Sequence, residues 1–273
     1  MARLQILGLL RFSYPSIYNQ KGLDDFAARR AELYEPRRLE RRLVWFEHVV
    51  IPCLRGQTDP DFQCLLLVGD QLPEPFRGRL VALADQVPQI KVCFEEEGQN
   101  HRQAVKALMD GHSDPGADFV AEFQLDDDDA VHREFIAETR AHLPLMMGLL
   151  VDTNWASLDF SRGLVLRMDA SGHELRMAQC RLWTPGLVTF RPPSKSTVLR
   201  RIDHLKLWQH MPVISVPKRN MFLRGAHEDN VSNFSNRWDR HCTDDEIGNP
   251  AQLLQRAFGI DLAAMQRARS AAG

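Results

Sequence analysis

The sequence predicts an α/β fold built on a Rossmann-like, mostly parallel sheet flanked by helices. Three observations carry this expectation. Apolar runs of strand length recur through the first half, as in "LQILGLL" and "CLLLV". Stretches with apolar residues at helical spacing lie between them. Polar residues punctuate the carboxyl ends of these runs at Ser13, at Asp70 and at Asp126 to Asp129, which is where open parallel sheets place their ligands.

The elements follow in order. "LQILGLLRFSYP" reads as a buried first strand over Leu4 to Leu10 that ends in a loop at Ser13 and Pro15. Residues 24 to 55 read as helical, with Leu39, Leu43, Phe46 and Val50 in helical register and Pro52 marking an end or a kink. Phe62 to Val68 is a second strand closed by Gly69-Asp70, and a short helix is expected over residues 75 to 86. "QIKVCFEE" is a third strand, "NHRQAVKALMDG" a helix and "DFVAEFQL" a fourth strand. The second half is less regular. "GLVTFR" reads as a strand, "STVLRRIDHLKLWQH" as a helix, and "PVISVPKRNMFLR" as strands interrupted at Pro217. A terminal helical segment begins at Asn249 as cap with Pro250 at the first helical position.

A chain of 273 residues without internal repeat or low-complexity linker fits one large α/β unit. The formal charge of −2 supplies no basic field for nucleic acid, and 8% aromatic residues without an RNP-like motif argue against an RNA-stacking module. Five cysteines, an odd number at wide spacing with no CxxC pair, indicate neither a zinc site nor a disulfide framework but free thiols in a reducing compartment. No apolar window approaches a membrane span. The expected location is cytoplasmic.

The run "FQLDDDDAV" is the candidate site. In an extended chain, residues two apart face the same way, so Asp126 and Asp128 can converge. Paired hard oxygen donors suit Mg²⁺ or Mn²⁺, with further ligands from substrate phosphates. A solvated acidic turn is the plain alternative, and Asp129 could also cap a helix over "AVHREFIAETRAHL".

Two ordered stretches, "RLVWFEHVVIPCLRGQTDPDFQCLLLVGDQLP" and "GQNHRQAVKALMDGHSDPGADFVAEFQLDDDDAV", resemble the nucleotide-binding half of family-2-type glycosyltransferases with the GT-A fold. The whole chain is similar to a bacterial rhamnosyltransferase family. The resemblance implies a nucleotide-binding half over residues 1–131, an acceptor and catalytic half over 132–240, and a C-terminal helical segment over 241–273. It implies a loop at Phe12 to Tyr14 against the nucleoside, so that Ser13 and Tyr14 bind the donor. Asp70 would contact the base, although "GDQL" replaces the family's Asp-Asp-Gly-Ser wording. His101 and Arg102 would stand near the donor. Asp126 and Asp128 match the two DXD acids, and Asp129 matches a further acidic position. "RIDHLKLWQH" resembles the family's Glu-Asp-x-x-Leu-Trp segment, where Asp203 or His204 would be the catalytic base. In "FLRGAHEDN", His227 would be a metal ligand and Arg224 would aid the leaving diphosphate, with Glu228 and Asp229 as reserve bases.

The resemblance therefore implies a glycosyltransferase that uses Mn²⁺ or Mg²⁺, a nucleotide-diphosphate sugar donor and a saccharide or lipid-linked saccharide acceptor, with inversion at the sugar. A non-catalytic sugar-nucleotide or carbohydrate-binding protein of the same fold, and a metal-dependent nucleotidyltransferase, are the competing readings. Against the latter, and against an aspartyl-nucleophile hydrolase, the loop after strand one carries no Gly-rich basic motif and no acid. Six arginines in "ARRAELYEPRRLERR", with Arg256, Arg267 and Arg269, offer peripheral contact with an anionic membrane; solvated helix faces are the plainer reading.

Overall fold

A computed structural model describes residues 2–18, 25–169, 171–229 and 241–272. The first strand, β1 (Leu4–Arg11), is buried on both faces. Leu4, Ile6 and Leu10 join one core, while Leu7 and Leu9 join a second core on the opposite face. That alternation is why the run is continuously apolar: helices cover both faces of a parallel sheet. β2 (Gln63–Gly69), β3 (Ile90–Glu95) and β4 (Phe119–Asp126) follow. β1 pairs in parallel with both β2 and β4, and β2 pairs in parallel with β3.

The seven-stranded sheet is completed by β6 (Ala156–Asp159), β9 (Leu187–Arg191) and β10 (Val213–Ser215), in the order β10-β6-β9-β4-β1-β2-β3. Only β9 runs against its neighbours. A smaller sheet has the order β5-β11-β7-β8, from β5 (Ala130–Val131), β7 (Arg162–Met168), β8 (His173–Gln179) and β11 (Phe222–Ala226). The acidic run is the link between the two sheets. It leaves β4 at Asp126 and re-enters regular structure at Ala130, where β5 pairs with Phe222 and Leu223 of β11.

The expected helix over residues 24 to 55 is three helices, α1 (Phe26–Leu33), α2 (Pro36–Trp45) and α3 (Ile51–Arg55), with a one-turn π-helical stretch at Phe46–Val50. The break has a local cause. Glu35 caps α2 by accepting from the N–H groups of Arg37 and Arg38 at 3.0 and 2.6 Å, and Pro36 sits in the first turn. α4 (Phe76–Ala84) and α5 (His101–Gly111) lie where the sequence places them, the latter capped by Asn100. α6 (Phe135–Ala141) and α7 (Leu143–Leu150) precede β6, and α8 (Pro250–Phe258) and α9 (Leu262–Ala271) form the C-terminal segment. Asn249 caps α8 through the N–H of Gln252, and Gly259 closes it in the left-handed conformation. The expected boundary at residue 240 lies outside the described residues.

Two expectations fail for physical reasons. Asp129 is not a helix cap, because Ala130 and Val131 form β5 and the next helix begins at Phe135. The helix expected over 196–210 shrinks to a 3₁₀ segment at His204–Gln209. Upstream, the chain is held by other bonds. The Thr197 hydroxyl donates to Glu122 Oε2 at 2.7 Å, the Thr197 N–H donates to Asp110 at 2.8 Å, and Arg200 has φ of 60°.

Glu122 and Arg191 form a fully buried ion pair between β4 and β9, with Arg191 Nε and Nη2 donating to Glu122 Oε1 at 2.9 and 2.6 Å. This pair anchors the 192–202 loop that carries Arg200. Removing one member of such a pair leaves a charge buried alone, at a cost of about 3–5 kcal/mol. Glu122→Ala should lower the unfolding free energy by that amount, measured by urea denaturation at pH 7; a change below about 1 kcal/mol would show that the pair is not anchoring the loop.

Candidate active site

The carboxyl ends of β1 and β4 meet in register, Arg11 beside Asp126. Neighbouring residues of parallel strands project to the same side, and Arg11 Nη2 donates to Asp126 Oδ1 at 2.9 Å. Arg200 reaches the same oxygen at 3.5 Å. Burial alone would raise the Asp126 pKa, but Arg11 and Arg200 outweigh it and hold the carboxyl below its usual range.

Asp127 and Asp128 turn inward to Arg42 of α2. Arg42 grips Asp127 through two nitrogens, Nε at 3.0 Å being one of them, and its Nη1 stands 3.2 Å from Asp128 Oδ2. The extended-chain reading brings only Asp126 and Asp128 together; in the structure the chain turns after Asp126, all four aspartates line one cavity, and Asp127 is among the most buried. Asp128 also accepts from His227 Nε2 at 2.9 Å. The His227 Nδ1 accepts the Asp229 N–H at 3.2 Å, which leaves the ring proton on Nε2 for Asp128. Burial is again the largest influence on Asp128, raising its pKa, yet Arg42 and His227 bring it below the usual value. For Asp129, Arg224 and the Asp126 N–H are outweighed. Burial, then the Asp128 and Asp126 carboxylates, push it well above an ordinary aspartate.

Gly225 makes this close packing possible. A Cβ there would lie 2.5 Å from the Asp128 carbonyl oxygen and 2.9 Å from the Trp45 ring. Trp45 in turn stacks on His227 at 5.0 Å between ring centroids.

The cavity measures about 500 Å³ and is walled by the four aspartates, Asp229, Ser13, Tyr14, Tyr18, Thr184, His204 and six arginines, Arg11, Arg29, Arg38, Arg42, Arg200 and Arg224. A second cavity of about 310 Å³ shares Tyr18, Thr184, Arg200 and His204 with it. The non-glycine residues with positive φ among those described are Ser13, Leu182 and Arg200. The first and third line the cavity. Leu182 acts on it through its carbonyl, which accepts from His204 Nδ1 at 2.5 Å. Its N–H donates to the fully buried Asp159 at 2.9 Å. Backbone held in costly conformations is found where a site needs it.

The structure therefore gathers Ser13, Tyr14, Asp126, Asp128, Asp129, His204 and Arg224 around the large cavity. His227 stands behind Asp128. His101 and Arg102, expected beside the donor, line the second cavity with Asp203. His101 is buried against Ser16 Oγ at 2.9 Å and Tyr18, and burial beside Arg11 and Arg200 pushes its pKa down to about 2. Asp70 lies outside both walls and accepts from the Glu97 N–H at 3.3 Å. Asp203 is exposed and caps the 3₁₀ segment through the Leu205 N–H. Glu228 pairs with Arg269 and Arg41, and Asp229 is held by Arg41 at 2.6 and 2.7 Å, so neither is a free base.

Sequence reasoning missed the arginines. The sequence reading places Arg38 and Arg42 with their neighbours on solvent or a membrane surface, yet both are buried. Arg269 is buried as well. The signal was present in "PRRLERRLVW": Arg38 and Arg42 are four apart and flank Leu39 and Leu43, on the helix face that meets the core.

A divalent cation requires converging donors. Of Asp126, Asp128, Asp129 and His227, Asp128 and His227 are in contact with each other, while Asp126 turns to Arg11 and Arg200. Among the described residues, no group of three or more His, Cys, Asp or Glu is arranged to hold a metal ion. As they stand, these donors do not fit Mn²⁺ or Mg²⁺.

A mostly parallel sheet with one reversed strand, and an acidic turn leaving its fourth strand beside an anion-suited cavity, define the GT-A class of α/β proteins. The chain belongs to the family described as "Putative rhamnosyl transferase", whose model matches residues 5–237. No curated protein matches it. Among solved structures, S. aureus TarS 1–349 is 9% identical over 81% of this chain and 60% of that one, with a TM-score of 0.45. A "putative nucleotide-diphospho-sugar transferase" from Desulfovibrio desulfuricans G20 is 13% identical over 100% and 97%, with a TM-score of 0.42. The mannosyltransferase PcManGT from Pyrobaculum calidifontis, in complex with GDP-Man and Mn²⁺, is 9% identical over 98% and 73%, with a TM-score of 0.40. This chain thus spans 60% of the TarS 1–349 chain.

Arg42→Gln should cost about 3–5 kcal/mol at pH 7, because it leaves two carboxylates buried without their cation. The Asp128 pKa lies below its unfolded value, so this stabilisation is present above pH ~4 and lost as the pH falls further. The deficit of the variant should therefore hold from pH 7 to pH ~4 and shrink as urea denaturation is carried down toward pH ~2. A deficit independent of pH would disprove the electrostatic account.

Proposed function

We propose that the chain transfers a sugar from a nucleotide-diphosphate donor to an acceptor hydroxyl, with His204 as the general base. The observation that carries this reading is the meeting of two cavities at His204, one lined by arginines and the other partly apolar. The arginine-lined cavity takes the donor, with its diphosphate among the guanidinium groups. The second, walled in part by Leu187, Val198, Ile202 and Leu207, takes the acceptor.

A carbonyl can only accept, so the contact with Leu182 fixes the proton of neutral His204 on Nδ1 and leaves Nε2 with a lone pair. Burial lowers the His204 pKa, which keeps the ring neutral at physiological pH. In the reaction, the acceptor O–H gives its proton to His204 Nε2 as its oxygen bonds to the sugar's anomeric carbon. The bond from that carbon to the diphosphate breaks, and its electron pair stays on the phosphate oxygen, where fixed cations stabilise the developing charge. One base and one displacement give inversion. Rhamnose as the transferred sugar follows from the family description alone. A Mn²⁺ or Mg²⁺ ion among Asp126, Asp128, Asp129 and His227 is the charge balance that the sequence resemblance favours; the arginines are the competing one.

The test is release of nucleoside diphosphate from a panel of UDP-, GDP- and dTDP-sugars, activated rhamnose among them, with saccharide acceptors in the presence and absence of Mn²⁺. No release from any donor under either condition would sink the reading.

His204→Gln should lower kcat by about 10²–10⁴-fold, and Asp203→Asn by less than about fivefold. Only the neutral imidazole accepts a proton, so activity should fall as the pH drops through the His204 pKa. That limb should lie below the ordinary value near 6.5, since the pKa is lowered, and it should vanish in His204→Gln. An unchanged pH profile in the variant would assign the base elsewhere.

A further inference from the structure

The cavity holds more positive charge than its aspartates use. Arg38 is 7% exposed, and among the described residues it forms no ion pair. Its contacts are neutral and long: Ser13 Oγ at 3.3 Å, the Leu33 carbonyl at 3.4 Å and the Asp229 carbonyl at 3.4 Å. A guanidinium buried in this way is costly unless an anion joins it. Among the described residues, the buried Nε atoms of Arg29 and Arg200 have no hydrogen-bond partner. Arg200 is also held at φ 60°, a conformation that costs free energy and presents it to the cavity. On the acidic side, Asp126 is engaged by Arg11 and Arg200, Asp127 and Asp128 by Arg42, and Asp229 by Arg41. Asp129, the remaining acid of the wall, accepts the Asp126 N–H at 3.3 Å. Of the acidic groups that would be needed for a metal, Asp126 and Asp128 already have cations, while among the described residues Arg29 and Arg200 keep an unused Nε donor and Arg38 has no anion.

We propose that Arg38, Arg200 and Arg29, backed by Arg42 and Arg224, hold the diphosphate of the donor directly, so that donor binding requires no divalent cation. This rests on the glycosyltransferase reading above and adds to it the identity of the group that neutralises the leaving diphosphate. The chemistry suits the task. Guanidinium groups bind phosphate oxygens in parallel pairs and keep their charge at any working pH. Fixed in a cavity, they stabilise charge on a departing diphosphate as a metal ion does, without reorganising. The aspartates then act on the protein rather than on a metal. They hold Arg11, Arg42 and Arg200 in place and keep the total charge of the empty cavity low.

The experiment is calorimetric titration of UDP, GDP, dTDP and inorganic pyrophosphate into the full chain, stripped with EDTA and kept in EDTA, then repeated with Mn²⁺. At least one nucleoside diphosphate should bind in EDTA, with Kd changed less than about threefold by Mn²⁺. Arg38→Met should weaken that binding at least about tenfold. It should not lower the Tm of the free protein, because it removes a buried charge that lacks an anion there. Arg200→Gln, in the loop after β9, should weaken binding similarly and provides a variant outside the helical core. Binding that appears only with Mn²⁺ would overturn the inference and leave the glycosyltransferase reading standing. Wild-type affinity in both variants would also overturn it. Binding of no nucleoside diphosphate under either condition would remove both the inference and that reading.

Discussion

The fork that Arg42 places on Asp127 and Asp128 is the contact on which the site depends. Four consecutive carboxylates, three of them buried, cannot sit at the junction of two sheets unless cations enter with them. Arg42 enters from α2, whose docking face is set by Leu39, Leu43 and Trp45 in the core. The same helix brings Arg38 to the cavity and Arg41 to Asp229. One helix thus fixes the acidic turn, the end of β11 and the cationic wall together. Arg11 completes the set from β1, through strand register rather than through a loop.

Much of the architecture was legible in the sequence. Strands buried on both faces announce themselves as continuous apolar runs, and the first four were found within one or two residues. Of the smaller sheet, only β11 was legible, within "PVISVPKRNMFLR". β5 is only two residues long, and β8, "HELRMAQ", is mostly outside the core and alternates apolar and polar residues only over Leu175 to Met177. The expected helix at 196–210 had the right periodicity, but Thr197 found better partners in Glu122 and Asp110 than a helix would give it.

The site was legible in part. A cluster of aspartates after a buried strand identifies a place, and that place is where the cavities lie. What the aspartates do there depends on partners far along the chain. Arginine looks the same in a sequence whether it faces solvent, a lipid surface or a buried carboxylate. His204 could be named from its resemblance to a catalytic segment, but its tautomer could not. That depends on the Leu182 carbonyl, itself turned by a left-handed backbone that Asp159 holds.

The separations along the chain have a consequence for how the molecule comes into being. Arg11 lies 115 residues before Asp126, Arg42 lies 85 before Asp127, and Arg41 lies 188 before Asp229. In each of these three the cation is synthesised first; Arg200, which also reaches Asp126, comes later. Closing such long loops is slow, but the acidic turn leaves the ribosome after β1, β2 and α2 have already been made. The repelling aspartates therefore emerge to partners already present, and the site closes last, when β11 brings His227 and Asp229 alongside.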